Sequence, residues 1–218
     1  MSLDTQPYLA QRARWPASGR HILAQFDSES VVVYQAYRPA IGHFAAEYGY
    51  FGGPFKLSRM SWIKPNFLWM MYRSGWSAKE GQEVILAVRL RRSAFDSILS
   101  QAVHSTFQPE IYAQPGSSVS DAAAWKTAVA KSNVRLQWDP DRHPSGNPLP
   151  RRAIQLGLRG ATLACYAREW IVGIEDISDF VREQHRHVRA KAYDQLCTPK
   201  EDVYSVADAT VRSRLGLD

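Results

Sequence analysis

Residues 30–39 read Ser-Val-Val-Val-Tyr-Gln-Ala-Tyr-Arg-Pro, and the fold turns on this run. Three valines followed by two tyrosines favour a pleated, half-buried backbone, and Pro39, which lacks an N–H, ends the ladder. The run is strand-length and far too short to cross a bilayer. Residues 83–91 read as a second strand. Val84, Leu86, Val88 and Leu90 alternate there with Ile85, Ala87, Arg89 and Arg91, which gives one apolar face and one that turns basic. Further strands are expected at 134–138, 153–158 and 172–177. In the fourth, Ile154, Leu156 and Leu158 share one face, while Gln155 and Gly157 share the other.

Helical periodicity fills the intervals. It is expected at 40–48, at 65–73 with Pro65 in the first turn and Gly75 past the end, and at 93–103 with Ser93 as N-cap. It recurs at 122–130, at 161–170 and, as a longer charged helix, at 178–196. Residues 113–121 form a loop by composition that ends in an N-cap, and 139–150 form a second loop carrying four prolines. Neither reads as a linker between domains. Short strands alternating irregularly with helices predict an α+β class: a single domain whose central mixed or antiparallel sheet of short strands is flanked by helices. Residues 1–20 read as an N-terminal extension, 21–197 as the domain, and 198–218 as a C-terminal tail.

With 218 residues, 45% of them hydrophobic and 22% charged, the chain can bury one sizeable core. Two cysteines, Cys165 and Cys197, are too few and too far apart for a disulfide framework or a zinc site, and they suit a reducing compartment. No signal-peptide core and no uncharged apolar window of spanning length is present, so a cytoplasmic location without membrane insertion is expected. The net charge of +6 favours an anionic partner, either a nucleotide or a nucleic acid. Histidine and carboxylate spacings suggest no metal, and glycine-rich phosphate loops and GxSxG elbows are missing.

Three clusters carry the remaining signal. Tyr34, Gln35, Tyr37 and Arg38 stand at the end of the valine-rich strand, where Arg38 offers a planar fork to phosphate or carboxylate. Trp62, Trp69, Tyr72 and Trp76 crowd together with Arg59, Lys64, Asn66 and Arg73, mixing aromatic planes with cations as a stacked base and its phosphates require. The helix at their centre is apolar all round and must be buried, with Trp69 and Tyr72 read as core before ligand platform. Arg135, Gln137, Trp138, Asp139, Asp141, Arg142 and His143, followed by Arg151, Arg152 and Gln155, form the third cluster. There Arg135, Gln137 and Gln155 are expected on one face of neighbouring strands, and Asp139 is expected to open a turn before Pro140.

Residues 31–39, 59–76, 134–142 and 152–158 together resemble the family called domain of unknown function 4291, over roughly residues 20–180. The family name carries no activity. The order of the blocks also resembles the split layout of mono-ADP-ribosyltransferases. That likeness implies a nucleotide-using transferase with NAD as cofactor and a basic cleft open to nucleic acid. It places Tyr34, Tyr37, Arg38, Trp62, Lys64, Tyr72 and Arg73 on the cofactor, and Gln35 and Gln155 at the catalytic positions. Arg135, Arg142 and Arg152 would hold nucleic acid or phosphate. This chain departs from that layout in having glutamine where those families usually place Arg or His early and Glu late. Asp139, Glu169 or Glu175 are the carboxylates that could replace the late one. The alternative is a non-catalytic module that binds nucleic acid or a phospholigand.

Overall fold

The computed structural model describes residues 3–112 and 121–218. Strand β1 (Thr5–Pro7) and helix α1 (Tyr8–Arg12) precede two short strands, β2 (Gly19–Arg20) and β3 (Leu23–Ala24). The valine-rich run is β4 (Ser30–Tyr37), which passes directly into α2 (Pro39–Tyr48). Then come β5 (Ser61–Ile63), α3 (Phe67–Ser74), β6 (Val84–Arg91), α4 (Arg92–Gln101), β7 (Ala102–His104) and α5 (Pro109–Tyr112). Helix α6 (Ala122–Lys131) is followed by β8 (Val134–Arg142), β9 (Pro148–Leu158), α7 (Gly160–Arg168) and β10 (Ile171–Asp176). Helix α8 (Ser178–Arg189), β11 (Cys197–Pro199), β12 (Asp202–Val203) and α9 (Ala209–Leu215) complete the described chain.

Two sheets make the frame. One has the order β10-β6-β4 and is antiparallel throughout. The other has the order β2-β9-β8-β7. Strand β9 pairs antiparallel with β8, the outer strands β2 and β7 run parallel to their neighbours, and β5 pairs antiparallel with β9. The class is the expected mixed α+β. Strand β5 also reaches the first sheet, because Lys64, the residue after it, exchanges backbone hydrogen bonds with Tyr34 (2.7 and 3.2 Å). This short strand therefore welds the two sheets together, and the cleft described below lies along the weld.

The period-two pattern decides where the core sits. Val31, Val33, Val84, Leu86, Val88 and Leu90 enter one buried cluster with Leu136, Ile154, Leu156 and Leu158. Val32, Tyr34, Ile85 and Ala87 point the other way, into a second cluster with Phe67, Met70, Met71 and Val181. Each fully buried aliphatic side chain contributes about 1.5–3 kcal/mol relative to exposure, so both faces of β4 and β6 are committed to packing.

Several local expectations change. The proline-rich stretch 139–150 is mostly strand: β8 runs to Arg142, β9 starts at Pro148, and the turn between them is closed by His143 N donating to Asn147 O (2.9 Å). The hairpin tolerates its prolines because the register shifts between Pro140 and Arg142, and because Arg151 grips the buried Asp141 (2.6 and 2.7 Å). Asp139 accordingly lies in a strand and opens no turn. Ser93 falls inside α4, whose N-cap is Arg91. Helix α3 starts at Phe67, capped by Asn66 Oδ1 accepting from Trp69 N (2.7 Å), and Pro65 lies ahead of the cap. Helix α8 ends at Arg189 and not at 196. Lys191 takes φ 56° there, and the returning chain donates Cys197 N to Gln184 Oε1 (2.8 Å). Asp121 caps α6 as expected; the rest of the 113–121 loop lies outside the described residues.

The terminal segments pack as part of the same body. Strand β1 pairs with β11, and β3 with β12. Tyr204, Val206, Val211 and Leu215 enter the first core cluster. Among the described residues no helix is long and apolar enough to cross a membrane.

Candidate functional site

Beside β5, where the sheets are joined, lies a cleft of about 440 Å3 lined by Gln35, Tyr37, Arg59, Trp62, Lys64, Arg73, Gln137 and Gln155, among others. An adjoining hollow of about 400 Å3 is lined by Arg38, Ile41, Phe55 and Lys56 and shares Tyr37, Arg59, Met60 and Ser61 with the first. Residues from β4, β5, α3, β8 and β9 thus meet in one two-lobed groove, although they are distant in sequence.

The floor is built on the polar face of β8 and β9. Gln137 and Gln155 are directly opposed in the ladder. Both donate from Nε2 to the Asp139 carboxylate, at 2.9 and 2.7 Å. An ionised carboxylate only accepts, so it fixes each amide with nitrogen inward and leaves the Oε1 atoms as acceptors for a ligand. Beside them, Trp62 lies across Gly157, its partner in the β5–β9 ladder. A Cβ at Gly157 would sit 2.7 Å from Met60 Sδ and 3.0 Å from the Trp62 ring, so the indole rests against bare backbone.

The inner wall is a hydrogen-bonded knot. Gln35 Nε2 donates to Tyr37 Oη and Ser61 Oγ (both 2.8 Å) and lies 3.2 Å from Trp62 O, while Gln35 Oε1 accepts from Tyr166 Oη at 2.6 Å. Tyr37 Oη and Ser61 Oγ are themselves 2.7 Å apart. One hydroxyl hydrogen closes that pair and both oxygens already accept from the amide, so the second hydroxyl hydrogen has no acceptor within the knot. Burial pushes the Tyr37 and Tyr166 hydroxyls up, so both stay protonated across the neutral range.

Several cations surround the groove, with the Asp139 carboxylate behind its floor. Arg38, Lys56, Arg59 and Arg73 are exposed along its edges and have no ion-paired carboxylate among the described residues. Lys64 is 5% exposed. Its Nζ contacts Trp62 O at 3.4 Å and lies 5.2 Å from the Trp69 ring centroid. Burial, reinforced by the Arg73 charge and opposed by Asp139, pulls its amine down to about 7.

Of the expected cofactor residues, Tyr37, Trp62, Lys64 and Arg73 line the main lobe and Arg38 the second. Tyr34 does not reach either. It is fully buried on the opposite face of β4, edge-on to Phe67 at 5.5 Å between ring centroids, as strand alternation requires. Tyr72 is neither core nor cleft: it is 46% exposed, and the Arg142 guanidinium covers its ring at 3.7 Å. Trp69 is core, as expected. The three expected phosphate-binding arginines scatter. Arg142 also donates to Gly146 O, Arg135 donates to Ser132 O, and Arg152 lines a separate pocket of about 220 Å3 with Arg20 and His104. Gln35 and Gln155, expected at the catalytic positions, are both at the cleft, but their amides hold Tyr37, Ser61, Tyr166 and Asp139. Glu175 lines a different pocket, on the first sheet.

Lys56, Ser61 and Gln82 line the groove without a signal of their own in the sequence, whereas Arg59 belongs to the aromatic and cationic block expected there. The segment before β5 has no periodicity to place them. Gly157 was the available signal, since a glycine inside an apolar strand marks a close approach.

A search of curated proteins finds no match. The family model described as a domain of unknown function, DUF4291, matches residues 21–204, which include every element that lines the groove. The chain therefore belongs to the DUF4291 family.

Proposed function

We propose that the groove binds a dinucleotide such as NAD and that the protein is a nucleotide-using transferase of the ADP-ribosyltransferase kind. The observation that carries this reading is the pairing of opposite chemistries in one groove. Among the described residues Arg38, Lys56, Arg59 and Arg73 stand without ion-paired carboxylates above a floor where Gln137 and Gln155 present acceptor oxygens beside the Trp62 plane. Phosphates need the cations, ribose hydroxyls need the acceptors, and a ring needs the indole. Arg59 lies where the two lobes meet, the place for a pyrophosphate between two nucleoside halves. In this reading Gln35 positions the Tyr37–Ser61 pair and Asp139 positions the glutamines. A second reading, binding of single-stranded nucleic acid, draws on the continuation of the groove past Arg59 toward Lys56 and Arg38.

Thermal melting with NAD, with ADP and with a short single-stranded oligonucleotide separates the readings. A ligand at a hundred times its Kd adds about 2.7 kcal/mol to stability, a rise of roughly 5–10 °C for a chain of this size. NAD is expected to give such a rise in the wild type. Arg59→Ala, at an exposed position, should leave the unliganded melting point unchanged and weaken NAD binding about tenfold. A salt-steep response to the oligonucleotide with none to NAD selects the second reading. No response to any of the three at near-millimolar concentration removes both.

A further inference from the structure

Lys64 differs from the other cations of the groove. Its backbone is fixed by two hydrogen bonds to Tyr34 across the junction of the sheets, and its side chain is buried yet lines the cleft. Among the described residues no carboxylate lies within ion-pair distance of Nζ; its one acceptor is the Trp62 carbonyl at 3.4 Å, which also faces Gln35 Nε2 at 3.2 Å. An ammonium has three protons to place, so burial with one long contact disfavours the charged form. A desolvated lysine beside a second cation is the arrangement that yields a nucleophilic amine near neutral pH.

We propose that Lys64 Nζ binds phosphorylated aldehydes and reducing sugars covalently as an imine, with their phosphate held by Arg59 and Arg73. The proposal rests on the anion-holding groove of the preceding section but not on a nucleotide being its ligand. The Nζ lone pair forms the C–N bond at the carbonyl carbon as the C=O π pair moves to oxygen. Both amine hydrogens then leave on that oxygen as one water, giving the imine. Tyr37 and Ser61 line the same cleft, and a hydroxyl of that pair would hydrogen-bond the oxygen as it departs. The charged or titratable groups facing the amine are Arg73 from α3, Asp139 from β8, Tyr37 from β4 and Arg59 from the segment before β5.

The probe is pyridoxal 5′-phosphate, trapped with borohydride and mapped by peptide mass spectrometry on the whole chain. Lys64 is expected to label at least tenfold faster at pH 7.5 than any of the other six lysines, which serve as internal standards. Its labelling rate should level off just above pH 7. Pyridoxal without the phosphate should label Lys64 about tenfold more slowly. Equal rates across the lysines, or equal rates with and without the phosphate, overturn the proposal; no folded variant is needed for either outcome. Selective labelling without an NAD melting response would sink the nucleotide reading alone, and an NAD response without selective labelling would sink the imine alone.

Discussion

Replacing Gln35 with leucine tests whether the knot on the inner wall is structural. The change removes four short contacts: those to Tyr37 Oη, Ser61 Oγ and Trp62 O, and the one accepted from Tyr166 Oη. Tyr37 and Ser61 keep each other at 2.7 Å, and Trp62 O keeps Lys64, so these groups lose only about 1 kcal/mol apiece. Tyr166 fares worse. It is fully buried, and its hydroxyl is left with nothing to donate to, which costs about 1–3 kcal/mol. Leucine recovers part of this through apolar burial. A net loss of about 3 kcal/mol lowers the melting point by roughly 6–12 °C in a protein of this length. Adding Tyr166→Phe removes the orphaned hydroxyl, so the double variant should be more stable than the sum of the two singles predicts, by about 1 kcal/mol or more. Melts followed by circular dichroism, with urea unfolding to fix the energies, measure both effects. If Gln35→Leu melts within about 2 °C of wild type, or if the two changes are strictly additive, the glutamine does not hold the wall and its placement here as a positioning residue is mistaken.

Gly157→Val puts side-chain atoms where Trp62 lies. It should cost about 1–3 kcal/mol and reduce nucleotide affinity about tenfold, and a titration that finds unchanged affinity removes the indole from the site. The buried Glu201 carboxyl is pushed well above the 4.5 it has in the unfolded chain, first by burial. The folded state therefore holds the extra proton, and its stability is full below pH 4.5 and declines as pH rises toward the raised value. Glu201→Gln should flatten that decline, melting higher than wild type at pH 8 but not at pH 4.5; parallel pH profiles contradict the assignment. Arg73→Met should move the Lys64 labelling inflection above 7, and Asp139→Asn should move it below, because these two charges push the amine in opposite directions. Shifts in the reverse sense would show that other groups control it.

The strands that carry the fold were readable because their faces alternate cleanly: every inward residue expected on β6 and β9 is buried. The same period could have separated Tyr34 from Gln35 and Tyr37, since neighbours on a strand face opposite ways. Proximity in sequence concealed this, and composition alone made Tyr34 look like its neighbours. Strand β5 was hidden for a different reason. Three residues are too few to show a period, and its sequence, Ser-Trp-Ile, gains meaning only when Gly157 and Tyr34 come alongside. The floor was half legible. Gln155 was expected to face a site, but the hairpin register that sets Gln137 against it, and turns both toward Asp139, depends on how prolines at 140 and 148 are accommodated. The scattered arginines show the limit of charge counting: Arg142 and Arg135 each give a donor to a nearby carbonyl, whereas Arg59 has no ion-paired carboxylate among the described residues.

Helix α3, which lends Arg73 to the groove, opens on Phe67, whose backbone N–H is answered by Glu201 at 2.6 Å. Trp15 donates to the Glu201 carbonyl at 2.8 Å and Gln11 accepts from its N–H at 2.8 Å, so three remote parts of the polypeptide meet at that one residue. On the ribosome the first two hundred residues would emerge before this meeting is possible. A nascent chain stalled ahead of residue 201 should hold its early strands yet lack a finished groove, and ligand competence should arrive abruptly once that glutamate clears the exit tunnel.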